Sequence, residues 1–215
     1  MDQILVYGDS LSWGIIPNTR KRLPFARRWP GVLENALREA GEDVRVIENC
    51  LNGRRTVWDD PFKDGRNGAH GLAQVIEMHS PLTLVILMLG INDFQASHLN
   101  NAWCSARGIA RLIDIIREAP IEPDMPIPRI LVVAPPAFGE PEGAMADKFE
   151  GAADRAEGLA WQLERVCEEL DVAFFDAGDV VETSAEDGVH LDARDHIILG
   201  DALAEHVMEL LDGDY

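Results

Sequence analysis

Near its start the chain reads MDQILVYGDS, so that Ser10 directly follows a short aliphatic run. Near its other end stands Asp187-Gly188-Val189-His190. These two segments hold the three groups that covalent acyl transfer requires. A serine hydroxyl is a weak nucleophile near neutral pH. It needs an adjacent base to take its proton, and the base needs a third group to orient it. Ser10, His190 and Asp187 are of the right types for nucleophile, base and orienting acid. The same chemistry needs donors aimed at a developing oxyanion. The N–H of Ser10, at the start of an expected helix, is one candidate. The N–H of Gly53 is a second, because a residue without a Cβ allows close approach. The side-chain amide of Asn92 is a third. Taken singly, each residue has a plainer reading. Ser10 reads as a helix cap, Gly53 as a turn glycine and Asn92-Asp93 as an Asx turn. Asp187 reads as a turn cap and His190 as a surface residue.

These residues must be brought together by the elements around them. Apolar runs at residues 4–7, 44–47, 82–89, 130–134 and 172–175 read as strands. The third is continuous and apolar, as a strand covered on both faces should be. Helical patterns lie between them at residues 29–40, 71–78, 104–118 and 147–170, and a last one follows Asp192. In 104–118, Ile109, Leu112, Ile113 and Ile116 share one face. Strands alternating with helices predict a parallel sheet in a three-layer α/β/α fold of about five strands, with flavodoxin-like order. In such a sheet, ligands bind at the carboxyl edge of the strands. Gly8-Asp9-Ser10, Asn52-Gly53-Arg54-Arg55-Thr56 and Gly90-Ile91-Asn92-Asp93 all follow strands, so all three fall on that edge.

Length and charge narrow the function further. At 215 residues the chain fits a single domain, 1–215. A net charge of -19 argues against nucleic-acid partners and against anionic membrane surfaces. The one basic cluster, Arg20, Lys21, Arg22, Arg27 and Arg28, reads as a solvated loop, with an anion site as the alternative. Cys50, Cys104 and Cys167 show no paired spacing and read as buried free thiols. The other histidines, His70, His79, His98, His196 and His206, read as structural or solvated. Asp59-Asp60 lacks the companions of a metal site, so neither metal nor cofactor is expected. No basic leader precedes the first strand, and the run at 82–89 is too short to span a bilayer. A cytoplasmic protein acting on a small molecule is the expectation.

Four blocks, Gly8-Asp9-Ser10-Leu11, the glycine block at Gly53, Gly90-Ile91-Asn92-Asp93 and Asp187-Gly188-Val189-His190, resemble the SGNH hydrolase (GDSL esterase) superfamily in order and position. Further likeness to its bacterial aryl esterases, carbohydrate acetylesterases and acyltransferases lies in Ser12-Trp13-Gly14, Arg28-Trp29, Leu51-Asn52-Gly53-Arg54, Asp59-Asp60-Pro61 and Met88-Leu89-Gly90. The resemblance implies Ser10 as nucleophile, His190 as base and then acid, and Asp187 as its orienter. It implies an oxyanion hole of Ser10, Gly53 and Asn92, an acyl pocket that includes Trp13, and a homo-oligomer. Phe94 and Phe138, near the same loops, extend the expected apolar mouth along with Ile15 and Ile16. Arg55 departs from the small polar residue common in relatives, and Arg54-Arg55 is expected to keep the rim hydrated. The implied activity is hydrolysis of short-chain esters, aryl or acetylated sugar, with transfer to alcohols as a side activity. The rival readings are a thioesterase or lysophospholipase on the same fold, and a non-catalytic flavodoxin-like binding module.

Overall fold

Each apolar run forms a strand. In the computed structural model, which describes residues 1–213, β1 spans Asp2–Gly8, β2 Val44–Cys50, β3 Leu84–Met88, β4 Arg129–Ala134 and β5 Ala173–Asp176. All pairings are parallel, in the order β2-β1-β3-β4-β5. β3 is buried along its whole length, which is why its sequence shows no alternation. The strand order reverses at β1, which has β2 on one side and β3 on the other. That switch point opens a crevice at the carboxyl ends of β1 and β3.

The helices follow from the same order. α1 spans Ser10–Trp13, α2 Trp29–Glu39, α3 Leu72–His79, α4 Ala102–Arg117, α5 Ala152–Ala156, α6 Leu159–Leu170 and α7 Ala193–Asp212. Right-handed crossovers place α2 on one face, because β1 to β2 runs one way across the sheet. They place α3, α4 and α6 on the other, because the later connections run the opposite way. The packing agrees: α2 lies against α7, and α4 lies against α6 and α3.

Three sequence expectations need correction. The pattern over 147–170 is not one helix. The chain breaks at Gly158, whose φ of +77° is left-handed, and only Leu159–Leu170 carries the buried stripe of Leu159, Leu163 and Val166. Arg28, expected in a solvated loop, is buried and held by Glu48 in a bidentate ion pair, while Arg20, Lys21 and Arg27 are exposed. Of the thiols, Cys167 is buried but Cys50 and Cys104 are only half-buried.

α7 begins three residues after His190, so its seating bears on the site. Gly200 lets it approach α2 closely. A Cβ there would lie 2.5 Å from Val32 Cβ and 2.9 Å from the Trp29 carbonyl oxygen. His196 of α7 accepts a hydrogen bond from the Trp29 N–H through Nδ1 at 3.3 Å. Burial, with the charges of His190 and Arg28 behind it, pushes the His196 pKa down to about 3, which suits an acceptor role. Gly200→Ala is expected to lower unfolding stability by about 1–3 kcal/mol through overpacking, although alanine is the better helix former by about 1 kcal/mol. Urea unfolding at neutral pH measures this, and a stabilised variant would refute the tight seam.

Candidate active site

The site is built from the ends of β1, β2 and β3 and from the loop before α7. After Gly8 the chain turns at once into α1. Asp9 caps that helix by accepting from the Leu11 N–H at 2.9 Å, and this leaves Ser10 at the first helical position. The loop before α7 is shaped by Asp187. One carboxylate oxygen accepts from the N–H of Val189 at 3.0 Å and of His190 at 2.9 Å. Its other oxygen meets His190 Nδ1 at 2.7 Å. Gly188 between them has φ +70°, and a Cβ there would fall 2.1 Å from the Glu140 carbonyl oxygen, so only glycine fits. The ring of His190 is thereby aimed at α1, and Nε2 lies 3.1 Å from Ser10 Oγ.

Ser10, Gly53, Asp187 and His190 line one cavity of about 340 Å³. The N–H groups of Ser10 and Gly53 find no acceptor among the described residues. Asn92 is buried beside them rather than on the wall. Its Nδ2 donates to Asp9 Oδ2 at 2.9 Å, and its Oδ1 accepts from Gln95 Nε2 at 2.7 Å. One amide hydrogen is thus committed, and the orientation of the amide is set from both ends.

Beneath the wall lies a buried polar network. Asp93 accepts from Thr56 N–H at 2.9 Å, Thr56 Oγ1 at 2.7 Å and Ser105 Oγ at 2.7 Å. It therefore ties the Gly53 loop to the turn that carries Asn92 and to α4. Arg55 donates to Gln95 Oε1 at 2.9 Å and to Ser97 Oγ at 2.9 Å, and pairs with Asp60 at 3.5 Å. Arg54 donates to the Gly8 carbonyl at 3.0 Å and stacks over Tyr7, 3.9 Å from the ring centre. Both arginines are buried, so the expectation that they hydrate the rim is wrong. Their guanidinium groups satisfy backbone and side-chain acceptors behind the wall instead.

The expected pocket residues Trp13, Phe94 and Phe138 do not line this cavity. Phe94 is fully buried and packs edge-on to Phe138, which in turn packs on Phe149. Trp13 is covered by Arg22, which stacks 4.8 Å from its ring centre. Apolar residues near a catalytic loop are drawn to the core unless something else holds them out. Of the expected apolar mouth only Ile15 reaches the wall. The rest of the wall includes Asn52, Met145 and four charged groups, Arg20, Asp60, Lys63 and Lys148, of which sequence reasoning missed Met145, Lys63 and Lys148. The only available signal was that lysine is rare in this chain.

The charges are tuned by these contacts. Burial pushes Asp187 up, but the bonds and charge of His190 and the Val189 N–H outweigh it and hold the carboxylate at about 2. Burial raises Asp9 and Asp93 to about 6 against the opposing N–H and side-chain donors. Burial also drives the Cys50 thiol upward, with Glu48 adding to it, which makes it a poor nucleophile. Among the described residues no three His, Cys, Asp or Glu side chains gather as metal ligands, and no helix is long and apolar enough to cross a membrane.

Comparison with known proteins places this arrangement. Residues 6–202 match the GDSL-like lipase/acylhydrolase family. A carbohydrate acetylesterase from Sinorhizobium meliloti superposes with a TM-score of 0.92 at 33% identity, covering 98% of this chain and 100% of that one. An inhibitor-bound aryl esterase from M. smegmatis gives a TM-score of 0.92 at 35% identity, again over 98% and 100%. A curated arylesterase from Vibrio mimicus is 37% identical over 92 residues, a stretch spanning 43% of this chain and 38% of that protein. The chain belongs to the GDSL-like lipase/acylhydrolase family, on the five-stranded α/β/α fold of its structural neighbours.

The raised carboxyl of Asp93 has a consequence for stability. A carboxyl whose folded pKa lies above its ordinary 3.8 favours folding most when protonated. Its contribution is fully present below that ordinary value and is lost as pH rises through about 6. Between pH 4 and pH 7 this amounts to about 3 kcal/mol for a two-unit shift. In Asp93→Asn, Oδ1 still accepts from the Thr56 N–H and Nδ2 still reaches the two hydroxyls. The variant should fold and lose less stability over that range than the wild type, with Asp9 carrying what remains. Urea titrations at both pH values measure it; identical losses would show that Asp93 is not the group responsible.

Proposed function

We propose that the protein is a serine esterase that cleaves short-chain carboxylic esters, aryl or acetylated sugar, through an acyl-enzyme on Ser10. The observation that carries this reading is the unbroken line from Asp187 Oδ2 to His190 Nδ1 at 2.7 Å and from His190 Nε2 to Ser10 Oγ at 3.1 Å. Ser10 Oγ attacks the ester carbonyl as His190 Nε2 takes its proton. Asp187, held ionised, fixes the imidazole and stabilises the imidazolium that forms. The oxyanion is received by the N–H groups of Ser10 and Gly53 and by the second amide hydrogen of Asn92. His190 then protonates the leaving alcohol. Water attacks the acyl-enzyme with His190 again as base, and this releases the acid and restores Ser10.

The small cavity favours short acyl groups over the long chains of a thioesterase or lysophospholipase. A non-catalytic module would have no use for the aligned pair of hydrogen bonds. Transfer to alcohols, as a side activity, draws its support from the family likeness alone, since Trp13, Phe94 and Phe138 lie off the wall. A homo-oligomer belongs to the same reading and rests on the same likeness.

Ser10→Ala and His190→Ala are each expected to lower kcat on para-nitrophenyl acetate by roughly 10⁴-fold or more, with the double variant little worse than either, because the two act as one unit. Near-wild-type turnover by purified Ser10→Ala would end the mechanism. Asn92→Ala should lower kcat by about 10²–10³-fold with little change in KM, as loss of an oxyanion donor does. Steady-state kinetics showing the reverse split would make Asn92 a ground-state binder.

A further inference from the structure

The chain has 19 basic and 38 acidic residues, and only three of the basic ones are lysines: Lys21, Lys63 and Lys148. Two of those three, Lys63 and Lys148, line the cavity over Ser10, and Arg20 joins them. They come from three separate segments: the loop after α1, the loop after β2 and the stretch before α5. None of the three makes a salt bridge among the described residues, whereas neighbouring Arg22, Arg28 and Arg55 all do. Behind them Arg66 donates to the Asn52 carbonyl at 3.1 Å and is the group nearest to Gly53. Lys148 Nζ lies 5.2 Å from the centre of the Phe149 ring, so its one close partner is aromatic.

Two carboxylates face these cations, and both are committed elsewhere. Asp60 is paired with Arg55 and accepts from the Phe62 N–H at 2.9 Å. Asp187 is engaged by His190. The ammonium of Lys63 is pushed down by desolvation at the wall and then by the charges of Arg66 and Arg20, with only Asp60 opposing. Lys148 is pushed down by desolvation first, with Asp60 holding it up and Arg55 adding to the repulsion. Like charges crowd one face of a cavity in a protein that is otherwise strongly anionic. A negative charge placed there would relieve that repulsion, and solvent alone does so less well at a concave surface.

We propose that the cavity selects esters bearing a carboxylate beside the scissile bond, held by Lys63, Lys148 and Arg20. The inference rests on the esterase reading and adds the charge of the substrate to it. The cavity volume of about 340 Å³ suits an ester of a few carbons with one such head group.

Two pairs of esters test this, each pair matched in shape and differing in charge. Para-nitrophenyl butyrate is set against para-nitrophenyl hemisuccinate, with the charge on the acyl side. Para-carbamoylphenyl acetate is set against para-carboxyphenyl acetate, with the charge on the alcohol side. For each ester kcat/KM is divided by its rate with hydroxide. At low salt the charged member of at least one pair should lead by about tenfold, the worth of roughly one close cation. Which pair responds tells the side that carries the charge. The lead should shrink towards one as salt rises from about 0.01 M to about 1 M, where the screening length falls from about 30 Å to about 3 Å. It should shrink likewise in Lys63→Gln, Lys148→Gln, and persist in Lys63→Arg, Lys148→Arg. A ratio of one or below in both pairs, with the neutral esters turned over, overturns the proposal and leaves the esterase reading standing. So does a lead that survives both high salt and the double glutamine variant. If wild-type protein turns over no ester at all, the esterase reading falls and this inference falls with it.

Discussion

All five strands run in the same direction, so every strand ends on one edge, and the loops that carry Ser10, Gly53 and Asn92 leave from that edge. The order β2-β1-β3-β4-β5 then decides where on the edge a ligand can enter. The connection that leaves β1 runs to one side and the one that leaves β3 runs to the other, so the loops that follow β1 and β3 part from each other. Ser10 sits at that parting. Gly53 approaches from β2, Asn92 from β3 and His190 from the last loop.

What keeps those loops in register is a set of buried polar groups that are paired for the most part, although Nε and Nη1 of Arg55 find no partner among the described residues. Asp93 satisfies three donors, and in doing so couples the glycine loop to the asparagine turn. Arg55, Gln95, Asn92 and Asp9 form a continuous chain of hydrogen bonds that runs up to the residue preceding the serine. Such networks rigidify a site when each member is satisfied and weaken it when one is lost. The three acids of the site are driven to different states by their surroundings. Asp187 is kept ionised by donors from His190 and Val189, whereas burial dominates at Asp9 and Asp93. The buried imidazole of His196, close to His190, is kept neutral by the same burial. It therefore adds no positive charge beside His190.

The distribution of charge separates long range from short range. At a distance the protein presents a net charge of -19, which favours solubility and repels anions weakly through the screening of salt. Inside the cavity the balance is reversed, because Lys63, Lys148 and Arg20 meet carboxylates that already have partners. Over a few ångströms the local cations dominate, since Coulomb energy falls with distance and with the surrounding dielectric.

Sequence by itself was enough for the five strands, their parallel arrangement and the residues that meet at Ser10. Each of those rests on a local signal: an apolar run, a strand-end motif, an Asp two residues before a Val-His pair. The ordered spacing of the four motif blocks carried the family. It was not enough for the wall of the cavity. Trp13, Phe94 and Phe138 lie close to the catalytic motifs in sequence, yet Phe94 is buried, Phe138 joins it in an aromatic cluster and Trp13 is capped by Arg22. Lys63 belongs to an irregular segment with no periodicity, Lys148 stands at the start of the pattern over 147–170 that is not helical there, and nothing local distinguishes either from solvated surface. Arg54 and Arg55 look like rim residues in a polar loop, but Tyr7, Gln95 and Asp60 wait for them beneath it. Whether a side chain near a motif turns inward, outward or into the site depends on partners supplied by distant segments, and only the tertiary structure brings those partners within reach.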